Sequence, residues 1–168
     1  MKIGQLEIDL KELRGFIVKA KKKAYAGGGE EKRLPDGSKL LVFQEGHFYY
    51  EDNYDGRYQA PGRELVKWQR EDGQRIWQMS YSGGMRPEHW GDKRLSHITF
   101  EFLKNALRKI RPESPFRGLD EYKNVEFTYE AWAEGDFQRF SGKEQIISNK
   151  LERIIFSQDF IGGLVIPK

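Results

Sequence analysis

Apolar positions along the chain recur at two different periods. From residue 9 to 26, Leu10, Leu13, Phe16, Ile17, Ala20 and Ala24 are spaced by three and four, which gathers them on one face of a helix. Asp9 can cap that helix, with Glu12 three residues later as in a capping box, and Gly27 can end it. A second helix is predicted over 96–110, SHITFEFLKNALRKI. Its stripe is Phe100, Leu103, Leu107 and Ile110, Ser96 stands at the cap position, and Pro112 and Pro115 stop it.

Elsewhere the period is two. LPDGS (34–38) is turn chemistry, since Pro35 sets φ, Asp36 bonds its own backbone and Gly37 takes a left-handed conformation. Strands are predicted at 39–45 and 47–54 with Gly46 in the turn, and at 63–70 and 75–82 around Asp72-Gly73, a strong hairpin signal. From 124 to 134, Val125, Phe127, Tyr129, Ala131 and Ala133 alternate with Glu126, Thr128, Glu130, Trp132 and Glu134. Gly135-Asp136 turns the chain into 137–141, and a last apolar strand, 151–160, ends near Gly162-Gly163. No linker or internal repeat stands out, so residues 1–168 are expected to form a single domain. The order of helix, strands, helix, strands predicts an α+β fold. Its sheet should be mainly antiparallel and curved, with about six to eight strands and two helices packed on one face.

Composition narrows the function classes. Hydrophobic residues are 38 % of the 168 positions and aromatics 14 %, enough for a real core without staples. The absence of cysteine excludes disulfides, thiolate metal sites and cysteine nucleophiles. Twenty-nine basic residues oppose twenty-six acidic ones, so the surface is mixed and the balance alone argues nothing about DNA or RNA; nucleic acid on its own is an unlikely partner. MKIGQLEIDL has no signal-peptide core, and no apolar run reaches the roughly 20 residues of a membrane helix, so a cytoplasmic location off the membrane is expected.

The densest chemistry is EGHFYYEDNYDGRY (45–58), with four tyrosines and four carboxylates. Glu51, Asn53, Asp55 and Gly56 match part of a calcium loop, but its last position, which needs a bidentate glutamate, is Gly62. Period-two reading is more informative. Phe48, Tyr50, Asp52 and Tyr54 share the apolar, inward face, where a lone carboxylate is costly unless it is paired or hydrogen-bonded. In WQMSYSGG (77–84), Trp77, Met79 and Tyr81 share one face. These strands predict a ligand pocket lined by Tyr50, Tyr54, Trp77 and Tyr81, with Asp52 or Glu64 at its polar end and Arg86 in the following loop. The competing readings are an ordinary aromatic sheet core and a small enzyme using Asp52, Glu64, His89 and Arg86.

Other features carry less. YAGGGEEK follows a helix and lacks the Gly-Lys-Ser/Thr ending of a phosphate loop. Lys19, Lys21, Lys22 and Lys23, and Lys104, Arg108, Lys109 and Arg111, sit at helix C-terminal ends, where cations meet the dipole favourably. His47, His89 and His97 are too dispersed for a metal motif, so neither metal nor cofactor is expected.

YAGGG (25–29), LPDGSK (34–39), EGHFYYEDNYDG (45–56) and WQMSYSGG together resemble an uncharacterised prokaryotic domain family of unknown function, over about residues 10 to 90. Its members occur alone or behind a helix-turn-helix in putative transcriptional regulators. Only nine residues precede the first predicted helix here, too few for such a motif, so the resemblance implies a sensing or partner-binding role at most. The expected function is thus a non-catalytic small-molecule or partner-binding module, with the enzyme and a nucleic-acid-associated regulator as alternatives.

Overall fold

A computed structural model describes residues 1–26 and 31–167. Helix α1 spans Leu10–Ala26, and its cap is as predicted: Asp9 Oδ1 accepts from the Lys11 amide at 2.8 Å and the Glu12 amide at 3.4 Å. The predicted stop at Gly27 lies outside the described residues, as does most of the glycine-rich stretch. Helix α2 spans Lys93–Leu107, three residues earlier at its start than the sequence suggested. Asp92 is the cap, accepting from the Leu95 amide at 2.9 Å, and Ser96 is buried instead.

The strands are β1 (Lys2–Ile3), β2 (Leu6–Glu7), β3 (Lys32–Arg33), β4 (Lys39–Glu45), β5 (Phe48–Tyr54), β6 (Gly62–Trp68), β7 (Arg75–Met85), β8 (Glu121–Lys123), β9 (Phe127–Asp136), β10 (Arg139–Ser148) and β11 (Arg153–Leu164). β1 and β2 form a small hairpin. The rest form one nine-stranded sheet in the order β3-β4-β5-β6-β7-β11-β10-β9-β8, antiparallel throughout. The fold is α+β, with more strands than the predicted six to eight. The extra ones are the short polar edges β3 and β8, too brief to show alternation. β10 also outruns its prediction, and Gly162-Gly163 lies inside β11 instead of ending it.

The sheet consists of two similar halves, each a helix followed by a meander, joined where β7 pairs with β11. Tyr81 faces Phe160 at the centre of that seam, and the register repeats on either side of it. In the first half Met79 faces Glu64, which faces Asp52; in the second Gln158 faces Glu144, which faces Ala131. One step outward, Trp77–Val66–Tyr50 corresponds to Phe156–Ile146–Tyr129. The helices match as well. Leu13, Phe16, Ile17, Ala20 and Lys21 are buried along α1, and Thr99, Phe102, Leu103, Ala106 and Leu107 along α2, at the same spacings. The expectation of no internal repeat is therefore corrected: FYYEDNYDG (48–56) and FTYEAWAEG (127–135) are its visible trace.

Each half has its own apolar cluster. The first joins α1 to Leu41, Phe48, Tyr50, Val66, Trp77 and Met79; the second joins α2 to Phe127, Tyr129, Ile146, Ile155 and Phe156. Both helices thus cover the face on which Asp52, Glu64, Tyr81 and Glu144 also lie.

Candidate functional site

Charged side chains gather on that inner face. Asp52, Glu64 and Glu144 are fully buried, and Lys21 and Arg117 nearly so. Lys21 falls on the buried stripe of α1, while Arg117 comes from the irregular segment after α2. Arg117 donates to Glu144 Oε1 from Nε at 3.0 Å and from Nη2 at 2.7 Å. Gln158 Nε2 donates to the same oxygen at 2.8 Å, and the Tyr129 hydroxyl to Oε2 at 2.7 Å. The Gly118 amide closes the chain by donating to Tyr129 Oη at 3.0 Å.

Glu64 faces Asp52 directly across the β5–β6 ladder, an arrangement that repels unless cations or donors are added. Both are supplied. Lys21 Nζ is 2.9 Å from Glu64 Oε2, and Arg117 Nη1 is 3.5 Å from Oε1, ionic contacts without hydrogen-bond alignment. The Tyr81 hydroxyl donates to Asp52 Oδ1 at 2.8 Å. Lys21 also donates to the Phe116 carbonyl and lies 5.6 Å from the Trp77 ring centroid. Burial holds the Lys21 ammonium below its ordinary pKa, with Glu64 opposing the shift. Burial likewise pushes the Tyr129 hydroxyl well up, and Glu144 adds to it. Each charged group in this layer thus has an ionic or hydrogen-bonding neighbour.

Beside this layer is open space. A cavity of about 90 Å³ is walled by Ala60, Phe100, Leu103 and Leu107 and by the rings of Tyr54 and Tyr81. Arg117 and Gln158 form its polar floor, and Arg117 lies 5.2 Å from the Tyr81 ring centroid. Tyr54, Ala60, Phe100 and Lys104 also line a second, outer basin of about 260 Å³ between α2 and the end of β5. There the Tyr54 hydroxyl donates to Glu31, and burial followed by that bond raises its pKa. The opposite, helix-free face carries a larger but wide-open hollow of about 570 Å³, where Trp132 and Ile161 flank Ser82, Ser141, Lys143 and Asp159.

The family model described as "Domain of unknown function (DUF5680)" matches residues 52–165. The chain belongs to the DUF5680 family. No curated protein and no solved structure matches it. The match includes the back half, whereas the resemblance read from the sequence lay over about 10 to 90; YAGGG and LPDGSK fall outside it.

Within this DUF5680 domain, the residues expected to form one pocket divide. Tyr54 and Tyr81 line the inner cavity. Tyr50 and Trp77 are fully buried in the first apolar cluster, and Asp52 and Glu64 belong to the charged layer behind it. Arg86 is exposed on the turn after β7, its amide bonded to the Ile155 carbonyl, and His89 ends the short Pro87–His89 helical turn. None of the three cavities above is lined by Arg86, His89, Asp52 or Glu64. Glu51, the first position of the partial calcium pattern, pairs with Lys67 at 2.8 Å. The lysine run of α1 is not one cationic face, since Lys19 pairs with Glu45 and Lys21 is buried.

Sequence reasoning missed Lys21, Arg117, Glu144 and Gln158. A signal existed for two of them: Lys21 is four residues after Ile17, and Glu144 shares its face of β10 with Phe140, Gly142 and Ile146 at a spacing of two. Among the described residues no helix is long and apolar enough to cross a membrane.

Proposed function

We propose that this DUF5680 domain is a non-catalytic binding module that takes up a small molecule between α2 and the inner face of the sheet. The supporting observation is that the inner cavity and the outer basin adjoin, with Tyr54, Ala60, Phe100 and Lys104 in the lining of both. A largely apolar chamber with a few fixed polar groups is the usual build of a ligand site. No carboxylate or histidine lines the inner cavity; Glu31, His97 and Glu101 line the outer basin, where both carboxylates are paired with lysines, which favours binding over the acid–base reading. The hollow on the outer face is more open, as suits a partner surface better than a small ligand. A ligand-sensing role agrees with the regulator setting that the family resemblance implied.

The test is an NMR fragment screen with Leu107→Trp and Ala60→Phe as cavity-filling controls. Fragments are expected to shift amides of Leu103, Leu107 and Ala60 in the wild type, and to lose that effect in whichever filled variant keeps its circular dichroism spectrum. A screen in which no fragment perturbs these amides rejects the module.

A further inference from the structure

Building on this reading of the cavity, we infer that the ligand is an organic anion with an apolar end: a ring or short acyl group seated in the inner cavity, and a carboxylate or phosphate held in the outer basin. The two compartments differ in chemistry. The inner walls are Ala60, Phe100, Leu103, Leu107 and two tyrosines; the donors Arg117 and Gln158 are already turned to Glu144, and Lys104, which also lines the cavity, is paired with Glu101 at 2.7 Å. A charged group entering there would lose its hydration and gain no unengaged partner, so this end of the ligand must be apolar. The volume of about 90 Å³ limits it to a single ring or a branched acyl group.

The outer basin has the opposite character. Its cations are Lys39, Arg57, Lys93 and Lys104, and its carboxylates are Glu31 and Glu101. Both carboxylates are taken: Glu31 by Lys39 at 3.1 Å and by the Tyr54 hydroxyl, and Glu101 by Lys104 at 2.7 Å. Those bonds to Glu31 overcome the effect of its partial burial and hold its pKa below the ordinary value, which keeps it an anion committed to Lys39 and Tyr54. Arg57 and Lys93 have no carboxylate partner among the described residues. The unmatched charge at the mouth is therefore positive. Arg57 follows β5 and Lys93 opens α2, so the two approach the basin from opposite walls. Two cations spaced across a mouth, above an apolar chamber, suit an anion whose body points inward. The same charges disfavour an ammonium at that position.

The probes are benzoate, benzyl alcohol, benzylamine and acetate, titrated by NMR against the wild type, the Arg57→Gln/Lys93→Gln double variant and a cavity-filled variant. Benzoate is expected to bind most tightly, benzylamine and acetate weakest. The double variant should lose about fivefold or more of its affinity for benzoate while binding benzyl alcohol as before, and added salt should weaken benzoate but not benzyl alcohol. Benzylamine binding as well as benzoate, or an unchanged benzoate affinity in the double variant, overturns the anion inference and leaves the cavity in place, whereas acetate binding as well as benzoate overturns the apolar end. If the ring probes bind the cavity-filled variant as well as the wild type, the proposed cavity fails too, so the two ideas are separated in one series.

Discussion

Replacing Arg117 with methionine is expected to destabilise the fold by about 3–5 kcal/mol, the usual cost of removing one partner from a buried charge pair. The structure indicates why the loss should be in that range. Glu144 Oε1 would lose its bonds to Nε at 3.0 Å and Nη2 at 2.7 Å, keeping Gln158, and Glu64 would lose a cation at 3.5 Å. Three fully buried carboxylates would then share the buried layer with Lys21. Removing both charges is a different case. In the Arg117→Met/Glu144→Met double variant the Tyr129 hydroxyl and the Gln158 amide lose an acceptor, at about 1 kcal/mol each, and Glu64 loses the more distant of its two cations while keeping Lys21. The double variant should thus be more stable than either single one, with a coupling energy of about 3 kcal/mol or more. Urea unfolding followed by circular dichroism measures all three, and with a slope of about 2 kcal/mol/M the single variants should lose about 2 M in midpoint. Strictly additive losses, or a single variant within about 1 kcal/mol of wild type, would refute the view that these groups form one electrostatic unit.

Three further outcomes concern the tyrosines. Tyr49, Tyr54 and Tyr129 have raised phenol pKa values, by burial first, so folded protein should titrate fewer than its eight tyrosines near pH 10; ultraviolet phenolate absorbance checks this, and all eight ionising together below the unfolding transition would contradict it. Because the folded pKa values are the higher ones, their stabilisation is complete below the unfolded value near 10 and is lost as pH rises through the folded values, so unfolding should grow easier in alkali. A methyl group on Gly62 would sit 2.3 Å from the Tyr81 hydroxyl, so Gly62→Ala should push that ring off Asp52 and cost about 1–3 kcal/mol, whereas an unchanged thermal midpoint would show that Tyr81 yields freely.

Much of this architecture is legible in the chain because it rests on local periodicity. Period-two spacing alone puts Phe48, Tyr50, Asp52 and Tyr54 on the covered face, and the structure places them there. The stripes of α1 and α2 are equally local. What answers the isolated carboxylate is not local. Asp52 is met by Tyr81 from two strands away, and Glu64 by Lys21 and Arg117 from other elements. Arg117 lies in PESPFRGLD, where no period marks a side chain as inward. The polar SGKEQ of β10 resembles a loop, although every second residue faces the core side, and this concealed Glu144. The repeat was missed for a related reason: it survives in FxYE and a glycine five residues later, while the two helices share burial spacing and little identity.

The seam between β7 and β11 also sets the order in which the chain can assemble. Every other ladder of the large sheet joins strands that are successive in sequence, while Trp77 must find Leu164 at the far end of the chain. Local hairpins close quickly, and this pairing carries most of the loop-closure entropy, so it forms last and slows folding. Until it forms, each half presents a long unpaired edge that matches the other half's edge in any copy of the chain. Refolding at high concentration should therefore produce exchanged dimers in which β7 of one molecule has closed on β11 of another.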